Sequence, residues 1–176
     1  MVVSVRFCDR EVKVGLRRGN EADYLVFGEI VMGAYPLWEH PVKHPDHVID
    51  GGSNIGLFSL LAHATFPKAS LTCYEPDPDN VAQIRRNFEI NGIDAEVLEM
   101  GLWSSSQQLF FHAAMSYSGA VSTDASGSPI SCELPPIPEN CLLKLDIEGA
   151  EHEVLPALFE ARRFPDSILM EIHEFD

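Results

Sequence analysis

The chain has 176 residues and carries 27 Asp plus Glu against 12 Lys plus Arg, which gives a formal net charge of -15 at pH 7. A composition of 45% hydrophobic and 22% charged residues is that of a globular protein and excludes general disorder. The acidic balance and the lack of any stretch of roughly 18–20 apolar residues predict that neither nucleic acid nor a membrane is a partner.

The first 36 residues predict a β-hairpin followed by a helix. Residues 2–7 and 11–16 alternate apolar and polar side chains, which is typical of strands. Apolar side chains at positions 24, 27, 30 and 31 recur at helical spacing, and Gly33 ends that helix. The length fits a single domain, 1–176, made of this N-terminal part and a core over 47–176.

From residue 47 onward, short strands alternate with helices, which predicts an α/β fold with a mostly parallel central sheet and helices on both faces. The predicted strands are 48–50, 70–74, 95–100, 107–113, 141–146 and 167–173. The predicted helices are 54–65, a second one capped by Asp77 that ends at Asn91-Gly92, and 151–163, which Pro156 must kink or restart.

Residues 115–140 are rich in Ser, Gly and Pro. A loop of that length in a compact domain is usually functional or mobile. We therefore expect a loop here that acts as a lid over the substrate.

The segment Asp50-Gly-Gly-Ser-Asn-Ile-Gly56 joins a buried strand to an apolar helix. Glycines let a ligand approach the main chain, and outward-pointing amides at a helix start favour a negative group. The dinucleotide fingerprint requires a glycine where Ser53 stands, so that fingerprint is broken. The segment instead reads Asp-x-Gly-x-Asn-x-Gly, close to the Asp/Glu-x-Gly-x-Gly-x-Gly pattern of S-adenosylmethionine (SAM) sites, with Asn54 in place of the middle glycine.

Glu75 ends the second core strand, 19 residues after Gly56. A carboxylate at this position can accept hydrogen bonds from both hydroxyls of a ribose. Together with the glycine turn, it predicts a cofactor that contains a nucleoside.

The carboxylates of Asp146, Glu148 and Glu151 cluster at the end of a central strand. Asp146 and Glu148 share strand parity and predict a common pocket if the strand stays extended that far. The alternative is that Glu148 and Glu151 only begin a helix, where acids suit the dipole. His173 is a candidate base or metal ligand that could meet Asp146 across adjacent strands. No pair of histidines has metal-ligand spacing, so we predict no metal site.

Four stretches, in this order, resemble the FkbM family of SAM-dependent methyltransferases. They are residues 48–57, 74–80, 144–155 and 170–173, and the Lys-x-Asp-x-Glu-Gly-Ala-Glu sequence at 144–151 is the most distinctive of them. Residues 29–35 also resemble the helix and Tyr that precede the fold in that family. The resemblance covers residues 21–175.

The resemblance implies a Rossmann-like class I methyltransferase fold with SAM across the strand ends. The glycine turn would hold the methionine part and Glu75 the ribose, while residues 99–102 would flank the adenine. The implied cofactor-binding residues are Asp50, Gly51, Gly52, Ser53, Asn54, Gly56, Glu75, Pro76, Met100 and Gly101. The terminal antiparallel hairpin of such folds is missing, so either the N-terminal strands substitute for it or the chain is minimal or truncated.

Members of the family are mostly O-methyltransferases, which implies an acceptor hydroxyl on a small molecule or sugar. Asp146 or His173 would take the proton of that hydroxyl, and Glu148 would orient the acceptor. Two rivals stay open. One is a non-catalytic SAM-binding or scaffold domain; the other is an NAD-dependent oxidoreductase, against which the broken fingerprint counts.

The cellular compartment and the oligomeric state are predicted from only a few features of the sequence. The apolar stretch within the first eight residues is too short for a secretory signal, because a charged residue already interrupts it. The four cysteines, Cys8, Cys73, Cys132 and Cys141, are scattered along the chain. We therefore expect a cytoplasmic protein. A sheet without its edge hairpin has an edge to protect, which leaves a homo-oligomer open.

Overall fold

The structure, a computed structural model, describes residues 1–37, 44–113 and 119–173. The strands are β1 Val2–Phe7, β2 Arg10–Gly15, β3 His47–Gly51, β4 Ser70–Tyr74, β5 Glu96–Leu98, β6 Gly101–Leu102, β7 Gln107–Ala113, β8 Gly119–Ser122, β9 Ser128–Glu133, β10 Cys141–Leu145 and β11 Ser167–Met170. The helices are α1 Glu21–Val31, α2 Leu57–Thr65, α3 Pro78–Glu89 and α4 Glu151–Glu160. The longest of these, α3, has 12 residues, and none in the described ranges is long and apolar enough to cross a bilayer.

A five-stranded sheet in the order β11-β10-β3-β4-β5 forms the centre of the fold, and every pairing in it is parallel. Strand β10, which lies between β11 and β3, is buried along its whole length, as expected for a parallel strand covered on both faces. This confirms the predicted α/β class. Because the strands run in one direction, their carboxyl ends share one edge, where Gly51 pairs with both Tyr74 and Leu145.

The two faces of this sheet pack against different layers. Val48 of β3 belongs to a cluster that includes apolar side chains of the N-terminal hairpin, α1, α2 and α3. Its neighbour Ile49 points to the opposite face, where Val154 and Leu158 of α4 complete a second cluster. Helices therefore cover both faces, as predicted, and the alternation along β3 determines which layer each side chain meets.

The region predicted as a loop over 115–140 contains two strands, β8 and β9, and the prediction was wrong for the residues that form them. The strands β8 and β9 join β6 and β7 in a second sheet in the order β6-β9-β7-β8. The predicted strand 95–100 is likewise split, because β5 stays in the central sheet and β6 pairs with β9. Short strands of small and polar residues, with Pro129 inside one, carry little apolar alternation, which explains the error. Residues 114–118 lie outside the described residues.

The N-terminal hairpin is confirmed, and amide side chains of α3 attach it to the core. The backbone N–H of Gly15 donates to Asn87 Oδ1 at 2.8 Å, and Gln83 Nε2 donates to Gly15 O at 2.7 Å. Just past the helix, Asn91 accepts from the N–H of Lys13 and donates to its carbonyl. These bonds satisfy backbone groups of β2 that β1 leaves unpaired.

Several helix and strand ends differ from the predicted ones. The helix predicted from residue 54 begins at Leu57, because the preceding turn continues to Gly56. The last strand ends at Met170, which leaves His173 beyond it. Pro156 lies inside α4 without a restart, since Val154 and Leu158 hold that helix against the sheet. The predicted cap of α3 is confirmed, because Asp77 accepts from the N–H groups of Asp79 and Asn80.

Candidate functional site

A cavity of about 520 Å³ lies at the carboxyl edge of the central sheet. Its volume is in the range of small-molecule sites. Ten residues singled out from the sequence line it, namely Gly52, Ser53, Asn54, Glu75, Pro76, Met100, Gly101, Asp146, Glu148 and His173. The other three, Asp50, Gly51 and Gly56, are not among the lining residues, so the structure places them behind the wall. Gly119 and Val121 of β8 also line the cavity, where the sequence predicted a lid.

The turn from Gly52 to Gly56 requires left-handed backbone at three positions. The φ angles are +72° at Gly52, +50° at Asn54 and +82° at Gly56. Glycine adopts this region without strain, and asparagine tolerates it better than most residues. This explains why Asn54 can stand where the SAM pattern has its middle glycine.

The sequence predicted that the amides of this turn point outward, and the structure shows that they do not. The N–H groups of Gly52 and Ser53 both donate to Tyr74 O at 3.0 Å, and the N–H of Asn54 donates to Glu75 Oε2 at 2.7 Å. The turn therefore stays closed against β4. What it offers a ligand is a narrow backbone surface rather than a set of free donors.

Glu75 is a buried carboxylate on the cavity wall. Its Oε2 accepts from Asn54, and its Oε1 accepts from the N–H of Asp77 at 3.0 Å and from Asn80 Nδ2 at 3.3 Å. Burial raises the pKa of Glu75 to about 7, although these hydrogen bonds oppose that effect. The side chain is thus fixed in place with a carboxyl that ionises near neutral pH.

Lys144 is a buried ammonium group beneath the cavity, with only 3% of the residue exposed. Its Nζ lies 3.4 Å from Asp50 Oδ1 and 3.4 Å from Asp146 Oδ2. It also donates to the carbonyls of Gly51 and Gly52. Burial disfavours its charge, but the two carboxylates outweigh burial and raise the pKa of Lys144. Lys144 therefore joins β10 to the start of the glycine turn through charge-assisted contacts.

Asp146 is held on one side and open on the other. Tyr35 Oη donates to its Oδ2 at 3.1 Å, the same oxygen that faces Lys144. Burial and the charge of Asp146 raise the pKa of Tyr35, so the phenol stays a donor. The second oxygen, Oδ1, lies 4.0 Å from His173 Nε2. The Oδ1 oxygen of Asp146 therefore faces His173.

His173 sits among carboxylates at the mouth of the cavity. Its Nδ1 lies 3.2 Å from Oε1 of the buried Glu151, while its Nε2 lies 3.6 Å from Glu148 Oε2 and 3.8 Å from Glu171 Oε1. Burial opposes its charged form, but Glu148 and Glu151 outweigh burial and raise the pKa of His173. Glu148 has a φ of +53°, an uncommon conformation for a glutamate and one that concentrates at functional sites.

Three potential metal ligands converge here, although the sequence predicted no metal site. Asp146, Glu171 and His173 each offer one ligand atom, and these atoms all lie within 4.8 Å of one another. Sequence spacing missed the group because its members follow two different strands. Asp146 comes directly after Leu145 and Glu171 directly after Met170, and those two residues are paired in the parallel sheet.

Other lining residues carried weak signals or none. Lys144 stands in the apolar run of β10, and a lone lysine in such a run indicates a paired buried charge. Tyr35 was noted only through the family resemblance. Leu25, Val26 and Glu29 of α1 line the cavity, but helical spacing does not reveal that one side of α1 meets the strand ends.

Comparisons with known proteins agree with the motif resemblance. No protein-family model matches the sequence. The chain is 23% identical over 150 residues to Methyltransferase 1 of Beauveria bassiana and 27% identical over 140 residues to the hexuronic acid methyltransferase AglP of Haloferax volcanii. These alignments cover 67% and 74% of this chain but 60% and 57% of the relatives, so the chain spans less than two thirds of their length.

Among solved structures, methyltransferase FkbM from Methylobacillus flagellatus matches 88% of this chain and 44% of its own, with a TM-score of 0.46 and 16% identity. The resemblance to methyltransferases that the motifs indicated is confirmed by the curated relatives, which carry that name.

Proposed function

We propose that the chain is a SAM-dependent methyltransferase domain that methylates a hydroxyl group of a small molecule or a sugar. The observation that carries the proposal is Glu75, a buried carboxylate on the wall of a cavity whose floor is the glycine turn. The similarity to methyltransferases supports the reaction class, and the name of the archaeal relative supports a sugar-like acceptor.

The residues present fit an adenosyl cofactor. Gly52 lines the cavity with main chain, Glu75 supplies a carboxylate for ribose hydroxyls, and Met100 and Gly101 also line the cavity. When bound, SAM would supply a methyl group on a positively charged sulfur. Asp50 would act from behind the wall, by holding Lys144 against the turn, rather than by touching the cofactor.

Binding of S-adenosylhomocysteine is expected to weaken as the pH falls from about 8 to about 6. The pKa of Glu75 is about 7 in the free protein, and the ionised form is the stronger acceptor for ribose hydroxyls because both of its oxygens can only accept. We expect the Kd to rise by up to about tenfold per pH unit below 7, because tight binding favours the ionised carboxylate. Calorimetric titration at several pH values measures this.

The same carboxyl affects the stability of the free protein in the opposite direction. The pKa of this carboxyl is 4.5 without the burial of the folded state and about 7 in the folded protein. Between these pH values the unfolded chain has lost the proton and the folded protein still holds it, so stability falls as the pH rises from 4.5 to about 7.

Glu75→Gln should remove the pH dependence of binding, whereas Glu89→Gln, on the exposed side of α3, should keep it. An unchanged pH profile in Glu75→Gln would contradict the assignment.

Proton removal from the acceptor is assigned to Asp146 or His173. Asp146 Oδ1 and His173 Nε2 both face the mouth of the cavity, and Glu148 lies beside them to orient the acceptor. Positioning of the hydroxyl supplies much of the rate in such a transfer, and a base adds to it.

Asp146→Asn is expected to lower kcat by about a hundredfold, because general-base groups contribute factors of that order. The affinity for S-adenosylhomocysteine should stay within about threefold, since Tyr35 and Lys144 can still contact the amide oxygen. Single-turnover assays with a panel of hydroxylated acceptors measure the rate. Full turnover in Asp146→Asn would leave His173 as the base.

The first experiment is thermal melting with SAM, S-adenosylhomocysteine and NAD. A ligand at about 100 times its Kd adds roughly 2.7 kcal/mol of stability, which moves Tm visibly. We expect a shift with the two adenosyl ligands and none with NAD. A shift with NAD alone would support the oxidoreductase instead, and SAM binding without turnover of any acceptor would support the non-catalytic domain.

The proposed setting is the cytoplasm. Cys73, Cys132 and Cys141 are buried free thiols, and Cys8 is an exposed one. Unpaired cysteines suit a reducing compartment.

A further inference from the structure

We infer that Asp146, Glu171 and His173 form a binding site for one divalent cation of the Mn²⁺ type at the mouth of the cavity. The inference concerns the site itself, and only the role of the cation rests on the proposed methyl transfer. The ligand atoms of the three side chains lie within 4.8 Å of one another on two adjacent strand ends.

The backbone that carries two of these ligands, Asp146 and Glu171, is fixed by the sheet. The N–H of Glu171 donates to Leu145 O at 3.0 Å, which continues the β10–β11 register past the last paired residues. Asp146 and Glu171 therefore stand side by side, and His173, beyond the end of β11, brings a ring nitrogen within 4.8 Å of both. Sites on rigid elements hold ligand geometry better than sites on loops.

The tautomer of His173 suits a ligand. Glu151 already accepts from the backbone N–H groups of Ile147 and Gly149, at 2.7 and 2.8 Å, so it can only accept from His173 Nδ1. Nδ1 then carries the hydrogen, and the lone pair of a neutral ring lies on Nε2. A carboxylate behind the distal nitrogen is the usual partner of metal-binding histidines, because it fixes the ring and raises its basicity.

The ligand atoms are close to coordination spacing without bonding one another. His173 Nε2 lies 4.0 Å from Asp146 Oδ1 and 3.8 Å from Glu171 Oε1, too far for hydrogen bonds. Two ligands about 2.1 Å from one octahedral ion are roughly 3.0 Å apart when adjacent and 4.2 Å when opposite. Small rotations of these partly exposed side chains would therefore bring all three onto one ion.

The donor set indicates the kind of ion. Two carboxylate oxygens favour Mg²⁺ or Mn²⁺, and the imidazole nitrogen shifts the preference toward Mn²⁺. Three protein ligands leave about three positions of an octahedron open for water and for an acceptor oxygen. An acceptor hydroxyl on the ion would lose its proton more easily. Glu148 would then be left to receive that proton, because Asp146 and His173 are ligands.

Titration of the whole protein with Mn²⁺ tests the inference, followed by electron paramagnetic resonance of the free ion. We expect one Mn²⁺ per chain, and a loss of affinity of at least about tenfold in Glu171→Gln and in His173→Gln, since a ligand matters at least as much as its outer-shell partners. The matched control Glu160→Gln, an exposed acid at the end of α4, should bind as the parent does.

Absence of saturable binding at about 1 mM Mn²⁺ would overturn the inference and leave His173 as a partner of the surrounding carboxylates alone. Binding that survives in His173→Gln would overturn it as well, because the ion would then sit on acidic groups alone. Stabilisation by S-adenosylhomocysteine, measured without Mn²⁺, reports on the proposed function separately. The two ideas can therefore fail independently.

Discussion

Replacing Gly52 by Ala is expected to abolish the native fold at the site and to cost more than about 4 kcal/mol, in the range of the most damaging single substitutions. A Cβ at this position would lie 1.8 Å from the carbonyl oxygen of Asp146, which is main chain and cannot rotate away. The φ of +72° adds strain of about 1–2 kcal/mol for any residue with a side chain. The strands β3 and β10 would have to separate.

Two matched Gly→Ala controls divide this effect into its parts. Gly19 also has a positive φ, +74°, but an added Cβ meets nothing within 4 Å, so Gly19→Ala should cost only the strain of about 1–2 kcal/mol. Gly28 lies inside α1 with ordinary φ and open space, so Gly28→Ala should stabilise the protein by up to about 1 kcal/mol.

Urea denaturation measures the free energy of unfolding of all three variants. A loss in Gly52→Ala no larger than that in Gly19→Ala would show that the close approach to Asp146 is not as the structure has it.

Replacing Lys144 by Met is expected to cost about 3–5 kcal/mol, because it leaves a buried carboxylate without its partner. Asp50 is 1% exposed and accepts from Ser59 through Oδ2, while its Oδ1 has no hydrogen-bond partner among the described residues. The ammonium of Lys144 at 3.4 Å is what balances that oxygen. Affinity for S-adenosylhomocysteine should fall too, since Lys144 also holds the carbonyl of Gly52.

The double variant Asp50→Asn/Lys144→Met provides the control. Removing the charge of Asp50 should recover a large part of the lost stability, because the cost arises mainly from the unpaired carboxylate and not from the lost methylenes of lysine. If the double variant is no more stable than Lys144→Met alone, the loss comes from packing around Tyr35 and Phe58, whose ring centroids lie 5.9 Å from Nζ.

The central sheet and much of the cavity could be predicted because their signals are local. The apolar run of β10 indicates a parallel core strand, and the cap at Asp77 indicates the start of α3. Motif order placed Glu75, Asp146 and His173 near one another, since parallel strands end at the same edge. Each of these predictions needs only a short window of sequence.

What escaped prediction depends on contacts between distant segments. Strand β8 contains only small residues and one valine, and it becomes a strand because β7 provides a partner. The amides of Gly52 and Ser53 are occupied by Tyr74 O, which no spacing rule within the turn reveals. Glu171 received no role, because its meeting with Asp146 follows from strand pairing and not from sequence distance.

The pairing of β10 with β3 also has a consequence for how the protein folds. Lys144 and Gly51 are 93 positions apart in the chain, and β10 must pair with β3 across that distance before the cavity floor exists. Closing so long a loop has an entropic cost that only the completed sheet repays, and such topologies fold slowly. During synthesis β3 and β4 would emerge well before β10, which is the neighbour of β3 in the sheet. An edge of β3 is then open until β10 arrives, which makes this pairing the step at which misfolding would be expected to begin.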